Sequence, residues 1–132
     1  MPALQQPPII AVLIPCYNEQ PTIARVIEDF RRQLPSAVIY VFDNCSTDAT
    51  AATAKEHGAV VIKEPRKGKG FVIESMFDKI NADVYIMVDG DDTYPADEVH
   101  KLVDPVLAGD ADMVVGARLS NYADNSFQPM HL

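Results

Sequence analysis

Short, unbroken apolar runs alternate along the chain with stretches in which apolar residues recur every three or four positions. Residues 9–14 (IIAVLI) are apolar throughout, the signature of a strand buried on both faces. Ile23, Val26, Ile27, Phe30 and Leu34 then keep helical spacing from Pro21-Thr22 onward, and Pro35 closes that segment. Residues 38–42 predict a second strand, followed by an Ala-rich helix that Ser46 or Thr47 caps and Gly58 stops. A third strand is expected over 59–62 and a helix over 70–80. The fourth strand, from Val84, runs into an acidic cluster. Pro95 opens a helix through Leu107, ended by Gly109, with Val99, Leu102, Val103 and Val106 on one side, and residues 112–116 form a fifth strand. Strand and helix alternating in this way predict an α/β fold: a doubly wound, mostly parallel sheet with right-handed crossovers and helices on both faces. Residues 1–8 read as a flexible lead-in, 9–118 as the domain and 119–132 as an irregular tail.

In such sheets ligands bind beyond the carboxyl ends of the strands, and every polar cluster of this chain falls at such an end. The fourth strand delivers Asp89, Asp91 and Asp92 around Gly90. Carboxylates this close repel one another unless a cation lies between them. Oxygen-only ligands suit a hard ion, Mg²⁺ or Mn²⁺, that shares phosphate oxygens of a substrate. The plainer reading is a turn with acids favoured by the dipole of the following helix, and it fits Asp92 or Thr93. Asp89 and Asp91, two positions apart, are the metal candidates. The loop Arg66-Lys67-Gly68-Lys69-Gly70 leads into a helix and combines glycines with cations, which suits a phosphate or diphosphate. It lacks the P-loop spacing, since Phe71 follows Gly70 where a hydroxyl is needed. Beside such a site, Asp43 is placed to accept a nucleobase N–H, and Pro15, Tyr17 and Glu19 to wall the pocket.

With 132 residues, 48% hydrophobic and 23% charged, the chain suits one domain with a proper core. A formal net charge of −8 argues against a nucleic-acid partner. No apolar run approaches the ~20 residues of a membrane span, and no positive charge precedes the first apolar run. A cytoplasmic place is therefore expected, with Cys16 and Cys45 as free thiols. His57, His100 and His131 fall in no metal or nucleophile-activating pattern.

These motifs in this order resemble the inverting family-2 glycosyltransferases of GT-A fold, in particular the polyprenyl-phosphate and dolichyl-phosphate sugar synthases. Val12-Leu13-Ile14-Pro15-Cys16-Tyr17-Asn18-Glu19 is similar to their opening motif. Asp43-Asn44-Cys45-Ser46-Thr47-Asp48 resembles their second motif, and the basic glycine loop their third. Asp89-Gly90-Asp91 resembles the DxD metal motif, and Val114-Val115-Gly116-Ala117-Arg118 the following strand. The resemblance implies a UDP- or GDP-sugar donor, with Pro15, Tyr17 and Glu19 around base and ribose and Asp43 on the base. Lys67 or Lys69 would approach the diphosphate, Asp89 the ribose or the metal, and Asp91 would hold Mg²⁺ or Mn²⁺. Arg118 would face the phosphate of a lipid-linked acceptor at the inner face of the membrane. It also implies an acceptor-side half for which residues 119–132 offer no counterpart, so the chain reads as a donor-binding portion that binds with or without turnover.

Other readings fit less well. Asp89-Gly90-Asp91-Asp92-Thr93 also matches the DxDxT of haloacid-dehalogenase-like phosphatases, but the later Lys and acidic pair that those enzymes need are poorly placed. Sugar-nucleotide pyrophosphorylases open on a glycine-rich loop, whereas Pro15-Cys16-Tyr17-Asn18-Glu19 has no glycine.

Overall fold

A computed structural model describes residues 7–92 and 94–107, and the backbone of 114–115. The first apolar run forms β1 (Ile10–Cys16), followed by α1 (Gln20–Gln33), β2 (Val38–Asp43), α2 (Thr50–Glu56) and β3 (Val60–Lys63). Then come α3 (Lys69–Lys79), β4 (Val84–Met87), a 3-10 turn (Ala96–Glu98), α4 (Val99–Leu107) and β5 (Val114–Val115). All pairings are parallel, in the order β3-β2-β1-β4-β5. This is the doubly wound α/β sheet that the alternation of elements predicts.

The period of two along β1 divides the core. Ile10, Val12, Ile14 and Cys16 belong to the larger cluster, with Ile23, Val26, Ile27 and Phe30 of α1, Ala54 of α2, and Val99 and Val103 of α4. Ala11 and Leu13 belong to the other cluster, with Phe42, Met87, and Val72 and Met76 of α3. A strand sandwiched in this way must be apolar at every position, which explains its unbroken hydrophobic run. Each such fully buried side chain contributes roughly 1.5–3 kcal/mol through burial alone.

The chain winds from β1 outward to β3, then crosses back and places β4 on the opposite side of β1. Successive connections therefore diverge between β1 and β4 and open a crevice at their carboxyl ends. Cys16 lies beside Asp43 in the register of β1 and β2, and the Val88 N–H donates to the Leu13 carbonyl at 3.1 Å just beyond β4. The ends of the three central strands thus converge on one rim.

Two local expectations differ from the structure. Pro95 does not open an α-helix directly: it precedes the 3-10 turn, and α4 starts at Val99. Asp92 does not cap that helix. It sits at a left-handed backbone position (φ 63°), and its carboxylate pairs with Arg25 of α1 at 3.3 Å. Thr93, Gly109, Arg118 and the tail 119–132 lie outside the described residues.

Candidate functional site

The loop after β1 and the loop after β2 are laced together. Asn18 takes a left-handed conformation (φ 52°), and its N–H donates to Ser46 Oγ at 2.9 Å. Its side-chain carbonyl accepts from the N–H of Thr47 at 2.8 Å, the Thr47 hydroxyl at 3.3 Å and the N–H of Asp48 at 3.3 Å. The Glu19 N–H donates to Thr50 Oγ1 at 2.9 Å and the Ala49 N–H to Gln20 Oε1 at 3.0 Å. Ser46 and Thr47 are thus spent on Asn18 and do not cap α2, which starts at Thr50 with no side-chain cap. Asp48 receives the Thr50 hydroxyl and N–H, and these bonds, the hydroxyl's first, lower its carboxyl pKa.

The basic loop divides its cations between two tasks. Glu64 is only 2% exposed, yet ionic. Its carboxylate accepts from Arg66 N at 2.8 Å, Nε at 3.0 Å and Nη2 at 3.2 Å. Arg66 also reaches Glu74 at 3.1 Å and lies over the Phe71 ring at 4.7 Å. The guanidinium is therefore committed to bracing its own loop, not to an incoming anion. The Lys67 ammonium lies 4.8 Å from the Tyr17 ring centroid, within reach of a cation–π contact. Lys69 is the first residue of α3. Asn44 ties this loop to β2. Its amide NH₂ donates to the carbonyls of Glu64 and Arg66, both at 3.0 Å, and its side-chain oxygen accepts from Gly68 N at 3.0 Å.

The hydrogen bonds from the Arg66 side chain and N–H hold the Glu64 carboxyl at about 2, below its ordinary 4.5. A carboxyl depressed in the folded state stabilises the fold fully above its unfolded value and loses that contribution as pH falls toward the folded one. Thermal denaturation of Glu64→Gln beside the wild type is therefore expected to show a stability gap that is widest near neutral pH. The gap should shrink between about pH 4.5 and about pH 2.

At the end of β4, Gly90 packs against β1. A Cβ at this position would stand 2.6 Å from Cys16 Sγ and 3.3 Å from Glu19 Cγ. The Gly90 carbonyl accepts from the Thr22 hydroxyl of α1. A glycine here lets Asp89 and Asp91 turn into the crevice while their backbone lies against Cys16.

The result is a cleft of about 350 Å³ whose lining includes Pro15, Tyr17, Glu19, Lys69, Asp89 and Asp91. Six residues singled out from the sequence thus share one wall. Lys67 joins them through its contact with Tyr17. Asp43, on β2 beside Cys16, is 5% exposed, and one of its carboxylate oxygens is buried without a hydrogen-bond partner. Buried acceptors are seldom left unpaired; this oxygen is enclosed by the protein, and Asp43 is not among the residues that line the cleft. Among the described residues, Asn44, Cys16 and Val72 also line it. Cys16 lies within the opening motif, which assigns it no role, and Val72 shows only its apolar place on α3. Burial first, then the charges of Glu19, Asp43, Asp89 and Asp48, push the Cys16 thiol well above its ordinary pKa, so it meets these acids as a neutral group. Both cysteines are free.

Among the described residues, no group of three or more His, Cys, Asp or Glu forms a ready-made metal cage. Asp89 and Asp91 offer carboxylate oxygens in an open cleft. That donor set fits Mg²⁺ or Mn²⁺, which retain waters and take substrate phosphate oxygens for their remaining positions.

The family model for glycosyl transferase family 2 matches residues 11–132. Protein RfbJ of Shigella flexneri is 51% identical over 122 residues, covering 92% of this chain and 95% of its own. The low-salt glycan biosynthesis hexosyltransferase Agl6 of Haloferax volcanii is 38% identical over 128 residues, covering 94% of this chain but 31% of its own. Among solved structures, glucosyl-3-phosphoglycerate synthase from Mycobacterium tuberculosis, in complex with Mn²⁺, UDP-glucose and glycerol 3-phosphate, superposes with a TM-score of 0.68 at 28% identity. That match covers 77% of this chain and 41% of the synthase.

Proposed function

Because this chain belongs to glycosyl transferase family 2, we propose that its cleft binds a nucleoside-diphosphate sugar and supports inverting transfer of the sugar to an acceptor. The observation that carries this reading is the convergence of Tyr17, Glu19, Lys69, Asp89 and Asp91 on one cleft at the point where the strand order reverses. The solved synthase with Mn²⁺ and UDP-glucose adds support for the donor class.

In this reading, Pro15, Tyr17 and Glu19 enclose base and ribose, and the Asp43 carboxylate accepts a ring N–H of the base. Lys69, with Lys67 released from the Tyr17 ring, neutralises the diphosphate. Asp91 holds Mg²⁺ or Mn²⁺, and Asp89 serves the same ion or the ribose. When bound, the ion supplies Lewis-acid stabilisation of the charge that grows on the departing nucleotide. The side chains hold the donor so that its anomeric carbon faces open solvent, where an acceptor oxygen attacks opposite the leaving group. A phosphate acceptor arrives already anionic and needs no strong base. A polyprenyl phosphate, met by Arg118 at the membrane surface, is the acceptor class we favour. Among the described residues, no helix is long and apolar enough to cross a membrane.

A second reading, donor binding without transfer by these residues alone, is favoured by the 31% and 41% shares of the longer hexosyltransferase and synthase that the chain spans. Incubation with a radiolabelled sugar nucleotide and a short polyprenyl phosphate separates the two: labelled lipid supports transfer, and retained donor with none supports binding only.

The nucleotide reading is tested through the base. Uracil and guanine carry a ring N–H that Asp43 can accept, whereas neutral cytosine and adenine do not. UDP or GDP is therefore expected to bind about tenfold or more tightly than CDP and ADP, and Asp43→Ala should remove most of that preference. Equal binding of all four, unchanged in the variant, would refute the role of Asp43.

A further inference from the structure

We infer that Asn44 is a positioning residue for the diphosphate, acting through the loop that presents Lys69; the inference rests on the nucleotide reading above. Asn44 is 9% exposed and fixed at both ends. Its own N–H donates to the Cys16 carbonyl of β1 at 2.9 Å, and its side chain spans to the basic loop. Both amide hydrogens and the amide oxygen are used there, on the carbonyls of Glu64 and Arg66 and on Gly68 N. No other uncharged side chain of this size presents two donors and an acceptor in this arrangement.

Each end of this brace bears on the cleft. Gly68, whose N–H it receives, has φ 136°, a backbone region open in practice to glycine, and immediately precedes Lys69 at the start of α3. Lys69 and Asn44 line the same cleft as Asp89 and Asp91. The Glu64–Arg66 clamp stiffens the loop internally, but among the described side chains Asn44 is the one that bonds this loop to β2 at three points. The Glu64 N–H still donates to the Asp43 carbonyl at 2.9 Å and the Cys45 thiol still reaches the carbonyls of Glu64 and Pro65, so releasing Asn44 frees the Arg66–Gly68 end of the loop, the end that carries Lys69.

The test is a double-mutant cycle on the full chain. Asn44→Leu removes all three side-chain bonds with the same branched shape and adds no charge, and Lys69→Ala removes the cation held to act on the ligand. UDP and GDP, each with Mn²⁺, are titrated by calorimetry into wild type, both single variants and the double variant. Asn44→Leu is expected to weaken binding about tenfold in the wild-type background and by little in the Lys69→Ala background, because the group it positions is already gone. Hydrogen exchange should show the Gly68 amide losing protection in Asn44→Leu. Should Asn44→Leu fail to fold, Asn44→Ala, which removes the same three bonds without adding bulk or charge, enters the same cycle with the same prediction. Equal losses in both backgrounds, or unchanged Gly68 protection, overturn the positioning role while the nucleotide reading stands. If the wild type binds neither nucleotide, both fall, and a change in Gly68 exchange then marks Asn44 as a brace of the fold alone.

Discussion

Asp91→Ala is expected to abolish metal-supported nucleotide binding while leaving the fold intact. Asp91 follows β4 in a loop and contributes nothing to either apolar cluster, so its removal leaves the core as it is. In the cleft it stands with Asp89 as one of the carboxylates at the end of β4, and with no third acidic, His or Cys ligand gathered among the described residues, losing one halves the anionic donor set. Even an outer partner of a metal ligand commonly accounts for about 10–100-fold in metal affinity, so loss of a direct ligand should weaken Mn²⁺-dependent UDP or GDP binding by about 100-fold or more. The residual, metal-free affinity should match that of the wild type in chelator. Calorimetric titration with matched thermal melts separates this result from unfolding.

Gly90→Ala should fail in the opposite manner, through packing as much as through the ligand. Its new methyl would meet Cys16 Sγ at 2.6 Å, and Cys16 is the last residue of the most enclosed strand, with little room to retreat. Overpacking of this kind typically costs about 1–3 kcal/mol, readable as a lower denaturant midpoint. Because the strain is relieved by displacing the segment that bears Asp89 and Asp91, nucleotide binding should fall with it. Cys16→Ala in the same chain removes the clashing sulfur. The double variant is therefore expected to regain most of the stability lost by Gly90→Ala, a coupling that a generic loop defect would not show.

The elements were legible because the hydrophobic pattern is strong. Residues 9–14 announce a strand enclosed on both faces, and Ile23, Val26, Ile27 and Phe30 announce the helix that covers one of them. The parallel alternation also implied where a ligand would sit. What could not be read were side-chain partnerships between loops distant in sequence. Ser46 and Thr47 look like caps for α2 until Asn18, 28 and 29 residues earlier, claims them. Arg66 reads as one cation among three in the basic loop, because nothing in a linear string shows that Glu64 is buried and must be neutralised. Asn44 looks like a turn residue, and only the folded loop shows its amide satisfied on three sides. Asp92 resembles Asp89 and Asp91 in type but is drawn off by Arg25. The carboxylates that face the cleft were identifiable by their place after β4. The residues that set the cleft's shape were not, since their signal lies in contacts and not in spacing.

The central claim is that Asp89, Asp91 and the lysine-bearing loop hold a nucleotide diphosphate through a shared divalent ion. Calorimetric titration of UDP-glucose and a GDP-sugar into the wild-type chain, with Mn²⁺ and again with chelator, tests it most directly. Saturable binding of one of them that needs Mn²⁺ is the predicted result; equal binding with and without metal, or no binding of either, would contradict it.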